Sequence, residues 1–389
     1  MSIVGAMSFV SSRAQVEPFR VMQILGRALA RDDAILLCVG QPASPAPAPV
    51  ITGAHTYLDT HTLGYTATLG IPELREAIAD WHSRTYNVRT EAKNVVVTTG
   101  SSGGFVALFL AALEHGDSIA MTRPGYPAYR NALKALGANV VDVVCGADTR
   151  FQPTVDKLEK LNPTPRAVIV TSPDNPTGTI IDPEELARIA KWCEENECLL
   201  ISDEIYHGIT YGRQCVTAHQ FSPNAAVVGS LSKYFSMTGW RLGWLIVPDH
   251  LVEPLENLEA NLALCPPAIS QYAALHAFGQ DARAELEGHV AKYAAARDVL
   301  LRELPSLGLG RFAPPDGGFY LWVDVSHLTE NSELWCQHIL DTTGVALAPG
   351  TDFDPVDGKK FVRISFCVEP EQVSEAVRRL KKVMVDTTT

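Results

Sequence analysis

The chain has 389 residues, 46% of them hydrophobic, with 44 acidic side chains against 32 basic ones and a formal net charge of −12. That acidic balance argues against a nucleic-acid partner, which would favour a basic face, and no apolar run approaches the roughly 20 residues of a membrane helix. The length allows about two domains with sizeable cores.

Residues 19–29 carry an amphipathic helical pattern. With the rest of 1–40 they are expected to form an arm and a contribution to a smaller domain. No secretory signal is expected, because the first 19 residues lack a basic stretch followed by a long apolar one. PASPAPAPV (42–50) reads as an extended connector, since its four prolines remove backbone donors. Pro72 then stands at a first helical position, with Glu73 and Glu76 in the opening turn and Leu74, Ile78 and Trp81 at helical spacing.

Strand-like and helical runs alternate from there. In order come NVVVTTG (94–100), a helix at 105–113, SIAMTRP (118–124), a helix at 129–136, NVVDVV (139–144) and AVIVTSP (167–173). A helix at 183–196, CLLISDEIY (198–206), AAVVGS (225–230) and WRLGWLIVP (240–248) follow. Several of these runs are apolar on both faces, as in a sheet covered by helices on both sides. The alternation predicts an α/β domain with a mostly parallel sheet, assigned to residues 41–280. A long helix at 282–304, GGFYLWVDV (317–325), VALAPG (345–350), KFVRISFC (360–367) and a closing helix at 370–385 predict a smaller α+β domain over 281–389. Eight cysteines lie scattered through apolar segments without a Cys-x-x-Cys pair. They read as reduced packing residues of a cytoplasmic protein. No His, Cys and carboxylate cluster has metal-ligand spacing, so no metal is expected.

Open α/β sheets bind ligands beyond the carboxyl ends of their strands. Polar, sterically unusual clusters fall there: TTGSSGG (98–104), SPDNPTG (172–178), SDEIY (202–206) and SLSK (230–233). TTGSSGG leads into a helix, where it is either a tight turn or an anion site built on backbone N–H groups and the helix dipole. Asp203 at a buried strand end is costly unless it is paired: it reads either as a salt-bridge or helix-cap residue or as a carboxylate that holds a heterocyclic N–H protonated. Lys233 is a surface charge or, if desolvated, a nucleophilic amine. Arg241 and Arg363, amid apolar and aromatic neighbours, suit either buried ion pairs or substrate clamps.

Together these segments resemble the class I/II aminotransferases, the aspartate-aminotransferase-like family of fold type I pyridoxal-phosphate (PLP) enzymes. SLSKYFSMTGWRLGW matches the family's Ser-x-Ser-Lys, spacer, Gly-x-Arg-x-Gly-Trp pattern. SPDNPTG matches its Asn-Pro-Thr-Gly segment, SDEIY its Asp-x-x-Tyr strand end, and GYTATLGIPELREAIA its Tyr-Thr-x-x-x-Gly, Leu-Arg segment. The resemblance covers the chain from about Gly40 to the final helix and implies a seven-stranded sheet of the family's type.

It also implies roles. Lys233 would carry PLP as a Schiff base and shuttle the substrate proton. Asp203 would pair with the pyridine N–H, and Tyr206 and Asn175 would hydrogen-bond the ring O3′. Ser101, Ser102, Ser230 and Arg241 would hold the phosphate, with Ser232 as a lesser candidate. Tyr126 would stack on the ring, Ile205 would cover its other face, and Tyr129 would stand behind Asp203. Arg363 would clamp the substrate α-carboxylate, helped by Gly40 and the Asn175 amide. Tyr65 would reach the phosphate of a neighbouring subunit, which implies a homodimer. Two departures stand out: Asp174 replaces the usual Asn, and PASPAP after Gly40 replaces the usual Gly-Glu-Pro-Asp-Phe.

The expected function is transamination between an L-amino acid, neutral or aromatic, and a 2-oxo acid such as 2-oxoglutarate or pyruvate. The same machinery also serves carbon–sulfur β-lyases, aminocyclopropane-carboxylate synthases and acyl-CoA-condensing synthases, but nothing marks a lyase or a CoA site. A nicotinamide dehydrogenase would need a Gly-x-Gly-x-x-Gly turn that TTGSSGG does not supply. A PLP-sensing regulator would need a DNA-binding domain, for which about 40 residues before the fold are too few. A non-catalytic binding protein fits poorly with Lys233, Asp203, Arg241 and Arg363 all present.

Overall fold

The computed structural model describes residues 9–384. Residues 1–8 of the expected arm and Val385 of the expected closing helix lie outside the described residues. Eleven strands are formed among them: β1 (Ile35–Leu37), β2 (Val95–Thr98), β3 (Ser118–Arg123), β4 (Asn139–Val144), β5 (Ala167–Thr171), β6 (Leu199–Asp203), β7 (Ala226–Ser230), β8 (Gly243–Ile246), β9 (Tyr320–Asp324), β10 (Val345–Pro349) and β11 (Phe361–Ser365).

Seven of them make one sheet in the order β2-β8-β7-β6-β5-β3-β4, and only β8 runs antiparallel to its neighbours. Every residue of β2, β5, β7 and β8 is buried. Alternate side chains feed two separate cores. Val95, Val97, Val168, Val170 and Leu200 enter one, and Val96, Ile169, Ile201 and Val228 enter the other. This is why the strands read as continuous apolar runs. The remaining four strands form a second sheet, β1-β10-β11-β9, in which β1 pairs in parallel with β10 and so ties the N-terminal segment to the C-terminal part of the chain. Helices Gln280–Glu303 and Pro370–Met384 pack on each other beside it. Among the described residues no helix is long and apolar enough to cross a membrane.

Two expectations need correction. The end of the proline-rich segment is not extended: Ala48 opens a helix that runs to Thr60, with Pro49 in its first turn. The N–H groups of a first turn have no intrahelical acceptor, so a proline there loses nothing. The helix expected at 105–113 in fact begins at Gly100, whose φ of +68° is open to glycine and strained for other residues. Ser101 and Ser102 therefore occupy its first turn instead of a preceding loop.

Candidate active site

The carboxyl ends of β2, β5, β6 and β7 converge on a cavity of about 260 Å³. Lys233 lies on its wall, three residues past the end of β7, and its Nζ donates to the Gly40 carbonyl at 2.7 Å. Burial pushes this amine down to about 8, and the nearby guanidinium groups of Arg363 and Arg241 act in the same direction. An amine held at about 8 gives up its proton far more readily than a free lysine, which makes it the better nucleophile near neutral pH. Gly40 has no room for a side chain, because a Cβ there would meet the Tyr320 hydroxyl at 1.6 Å.

Asp203, the last residue of β6, is 1% exposed. Its Oδ2 accepts from the Tyr129 hydroxyl and its Oδ1 from the Ile205 N–H at 3.3 Å. Among the described residues it makes no ion pair, and burial pushes it up to about 6. A buried carboxylate in this state is short of a cation. Tyr206 is fully enclosed, with its hydroxyl 3.0 Å from that of Tyr320 and its ring 5.9 Å from Lys233 Nζ.

Ser101 and Ser102 face the cavity from the helix N-terminus, and Arg241 and Thr238 face it from the loop after Lys233. Arg241 Nη1 donates to the Thr238 carbonyl at 2.9 Å. A Cβ at Gly100 would sit 2.5 Å from Arg241 Nη2, so the glycine keeps the guanidinium close to the helix end. Hydroxyls, unpaired N–H groups and a cation in one corner form an anion cradle. Ser230 does not line the cavity: its Oγ accepts from the Ser232 N–H at 3.0 Å, and Ser232 lines the wall in its place.

Arg363, on β11, is the second unbalanced charge. It is 4% exposed and lies between the rings of Tyr320 (4.3 Å) and Phe353 (4.5 Å). Nη1 donates to Asn175 Oδ1 at 2.9 Å and Nη2 to the Cys38 carbonyl at 2.6 Å, while Nε has no hydrogen-bond partner. Among the described residues no carboxylate lies within ion-pairing distance. Tyr126 and Ile205 both line the cavity as well. Tyr65 does not; it is 85% exposed. Asp174 is turned away from the cavity, its Oδ2 accepting from Thr177 Oγ1 at 2.7 Å and from the Thr177 N–H at 3.2 Å. The acid that replaces the usual Asn thus staples its own loop.

Several lining residues went unrecognised in the sequence. Tyr320 lay within the strand-like GGFYLWVDV and Phe19, Val21 and Met22 within the amphipathic stretch 19–29, and Phe353 carried no expectation. Asp352 accepts from the N–H groups of Arg20 and Val21, both at 2.8 Å, and so caps that helix over the cavity mouth.

Behind Asp203, Glu204 points to the other side of β6. Its Oε1 accepts from Ser202 Oγ, Thr217 Oγ1 and the Ala218 N–H at 2.9–3.0 Å, and Oε2 lies 3.4 Å from His207 Nδ1. Burial raises Glu204 to about 8 and lowers His207 to about 3, so the two meet as neutral groups at pH 7. The folded chain therefore holds a proton that the unfolded chain releases near pH 4.5, and this contribution to stability is lost as pH rises towards 8. Glu204→Gln, a neutral mimic, escapes that loss. Its melting temperature relative to wild type is expected to climb steadily between pH 5 and 8, and a difference that stays constant with pH would refute the assignment.

Fold and site together define a fold type I PLP enzyme: an anion cradle, an acid lacking a cation and a depressed lysine fit the phosphate, ring nitrogen and aldehyde of that cofactor. The chain belongs to the family "Aminotransferase class I and II", which matches residues 32–380, and family members use PLP. It is 50% identical over 377 residues to a valine–pyruvate aminotransferase of Mycobacterium tuberculosis, covering 95% of this chain and 97% of the relative. An aminotransferase crystal structure from Mycobacterium tuberculosis superimposes with a TM-score of 0.96 at 48% identity, covering 98% of this chain and all of that one. The aspartate aminotransferase of Thermus thermophilus with maleate gives 0.92 at 30% identity, covering 97% and 100%. The protein is an aminotransferase acting between amino acids and 2-oxo acids.

Proposed function

We propose that this enzyme transfers the amino group of a neutral, aliphatic L-amino acid such as valine to pyruvate. The observation that carries the reading is the composition of the cavity. Among the described residues its only cationic side chains are Lys233, Arg241 and Arg363. Each already has a task, and none remains for a distal carboxylate. Phe19, Val21, Met22 and Val39 give the substrate side chain an apolar surface, and Asp352 at the same mouth disfavours a second negative charge. One cavity must accept both substrates in turn, so the argument that rejects aspartate as donor also rejects 2-oxoglutarate as acceptor. The name of the mycobacterial valine–pyruvate relative supports the same choice.

Bound PLP supplies an aldehyde that condenses with amino groups and a cationic ring that draws electrons from the substrate Cα. Ser101, Ser102, Ser232, Thr238 and Arg241 would hold its phosphate. Asp203, backed by Tyr129, would keep the ring nitrogen protonated, and Tyr206 and Asn175 would bond the ring oxygen. Tyr126 and Ile205 would cover the ring. Arg363 grips the substrate carboxylate in a two-pronged contact that fixes the Cα–H for removal. Lys233, on the cavity wall, would accept that proton at Nζ and return it.

We further propose that the protein is a cytoplasmic homodimer in which the exposed Tyr65 reaches the neighbouring phosphate site, with a large domain over 41–280 and a smaller one over 281–389. Single-turnover spectra with individual donors test the substrate assignment. Valine and similar donors are expected to convert the cofactor to its amine form about 10²-fold faster than aspartate, because a distal charge would be buried without a partner. Aspartate and 2-oxoglutarate outpacing valine and pyruvate would overturn the assignment.

A further inference from the structure

Tyr320 opens β9 opposite Ser365, two residues along β11 from Arg363, and lines the catalytic cavity. It is buried, and three groups of the site meet it. Its ring lies against the Arg363 guanidinium at 4.3 Å. Its hydroxyl stands 3.0 Å from the Tyr206 hydroxyl, with the two rings edge-on at 80° and their centres 5.6 Å apart. The same oxygen presses on Gly40, where a Cβ would come within 1.6 Å of it. One side chain from β9 therefore meets the arginine on β11, the tyrosine that follows β6 and the residue whose carbonyl receives Lys233 Nζ.

The hydroxyl pair has a preferred direction. Burial pushes Tyr320 up to about 12 and Tyr206 well above its ordinary value, so both keep their protons near neutral pH. Each hydroxyl carries a single proton, and only one of the two can lie between the oxygens. Among the described residues neither has another hydrogen-bond partner. Gly40 closes one side of the Tyr320 oxygen with a carbon that accepts nothing, whereas Tyr206 faces the cavity. The arrangement that strands no proton sends the Tyr320 proton to the Tyr206 oxygen and leaves the Tyr206 proton for an acceptor in the cavity. A hydroxyl that accepts one hydrogen bond is polarised and donates the next more strongly.

We propose that Tyr320 is a positioning residue for the reaction: by donating to the Tyr206 oxygen it aims the Tyr206 proton at the ring oxygen of bound PLP and strengthens that contact. This rests on the assignment of Tyr206 to the ring oxygen. A donor there favours the anionic form of that oxygen, so the bound cofactor loses its proton at a lower pH. The ring of Tyr320 has a separate task, which is to hold the plane of the Arg363 guanidinium.

The test is a spectrophotometric pH titration of the visible cofactor band in holoenzyme, for wild type, Tyr206→Phe and Tyr320→Phe. Tyr206→Phe is expected to move the midpoint upward. Tyr320→Phe removes one oxygen and keeps the ring, and it is expected to move the midpoint the same way by a smaller amount, about 0.3 unit or more. Its KM for valine should stay near that of wild type, because phenylalanine still packs on Arg363. Tyr320→Leu loses the ring as well, and should add about a tenfold rise in KM to the same shift. A wild-type midpoint in Tyr320→Phe beside a shifted one in Tyr206→Phe would overturn the proposal and leave the Tyr206 assignment standing. Unshifted midpoints in both would overturn the two together. A shift in Tyr320→Phe accompanied by the KM rise expected only of Tyr320→Leu would mean general disturbance of the site, and would also overturn the proposal.

Discussion

Lys233→Ala is expected to lower transamination by about 10⁴-fold or more while leaving the protein folded. General acid–base catalysis by a positioned side chain contributes about 10²–10⁴-fold, and in the proposed mechanism this lysine would add a covalent role to the proton transfer. Its amine is buried and held at about 8, so the folded chain binds that proton less tightly than the unfolded chain, whose lysine titrates near 10.5. The destabilisation is complete below about pH 8 and fades as pH rises through the unfolded value. Removing the amine should therefore raise the melting temperature of cofactor-free protein at pH 7, which separates lost chemistry from lost structure. Borohydride reduction should fix the cofactor permanently to the wild type and not to the variant. An active alanine variant, or one that still retains cofactor after reduction, would place the chemistry on another residue.

Much of this site was legible in the sequence, for a physical reason. Strands covered on both faces must be apolar, so a polar residue at their carboxyl ends stands out unless it caps a helix or closes a turn. Asn175, Asp203, Lys233 and the Ser101–Ser102 pair stood out in that way, and the cavity gathers all of them. Residues whose chemistry resembles packing did not. Tyr320 and Phe353 hold Arg363 between their rings, yet Tyr320 sat in the strand-like run GGFYLWVDV and nothing singled out Phe353. Phe19, Val21 and Met22 carried an amphipathic pattern, but the pattern cannot say that the helix caps on Asp352, more than 300 residues away. Strand β1 is three residues long, too short for its alternation to register, and only its pairing with β10 makes it a strand. The choice between Ser230 and Ser232 depended on which way the strand end turns, and spacing does not encode that.

Arg363→Lys carries the second large effect. Lysine keeps the charge but replaces a planar fork by a point donor, and the pocket is shaped for the fork. Tyr320 and Phe353 clasp the guanidinium faces, while Asn175 Oδ1 and the Cys38 carbonyl fix its orientation. Neither acceptor neutralises the charge, so Arg363 stays buried and unbalanced until a carboxylate arrives. That imbalance is what the proposed grip on the substrate carboxylate would relieve. With lysine, the carboxylate loses its two-point contact and the Cα–H drifts from the base. A misplacement of that kind costs about 10²-fold in kcat/KM. A donor without a carboxylate discriminates this role from general damage. Isobutylamine, which is valine lacking that group, should react slowly but equally with wild type and variant, whereas valine should lose the full factor. Equal losses for both donors would mean that Arg363 supports the fold around Lys233 and does not grip the substrate.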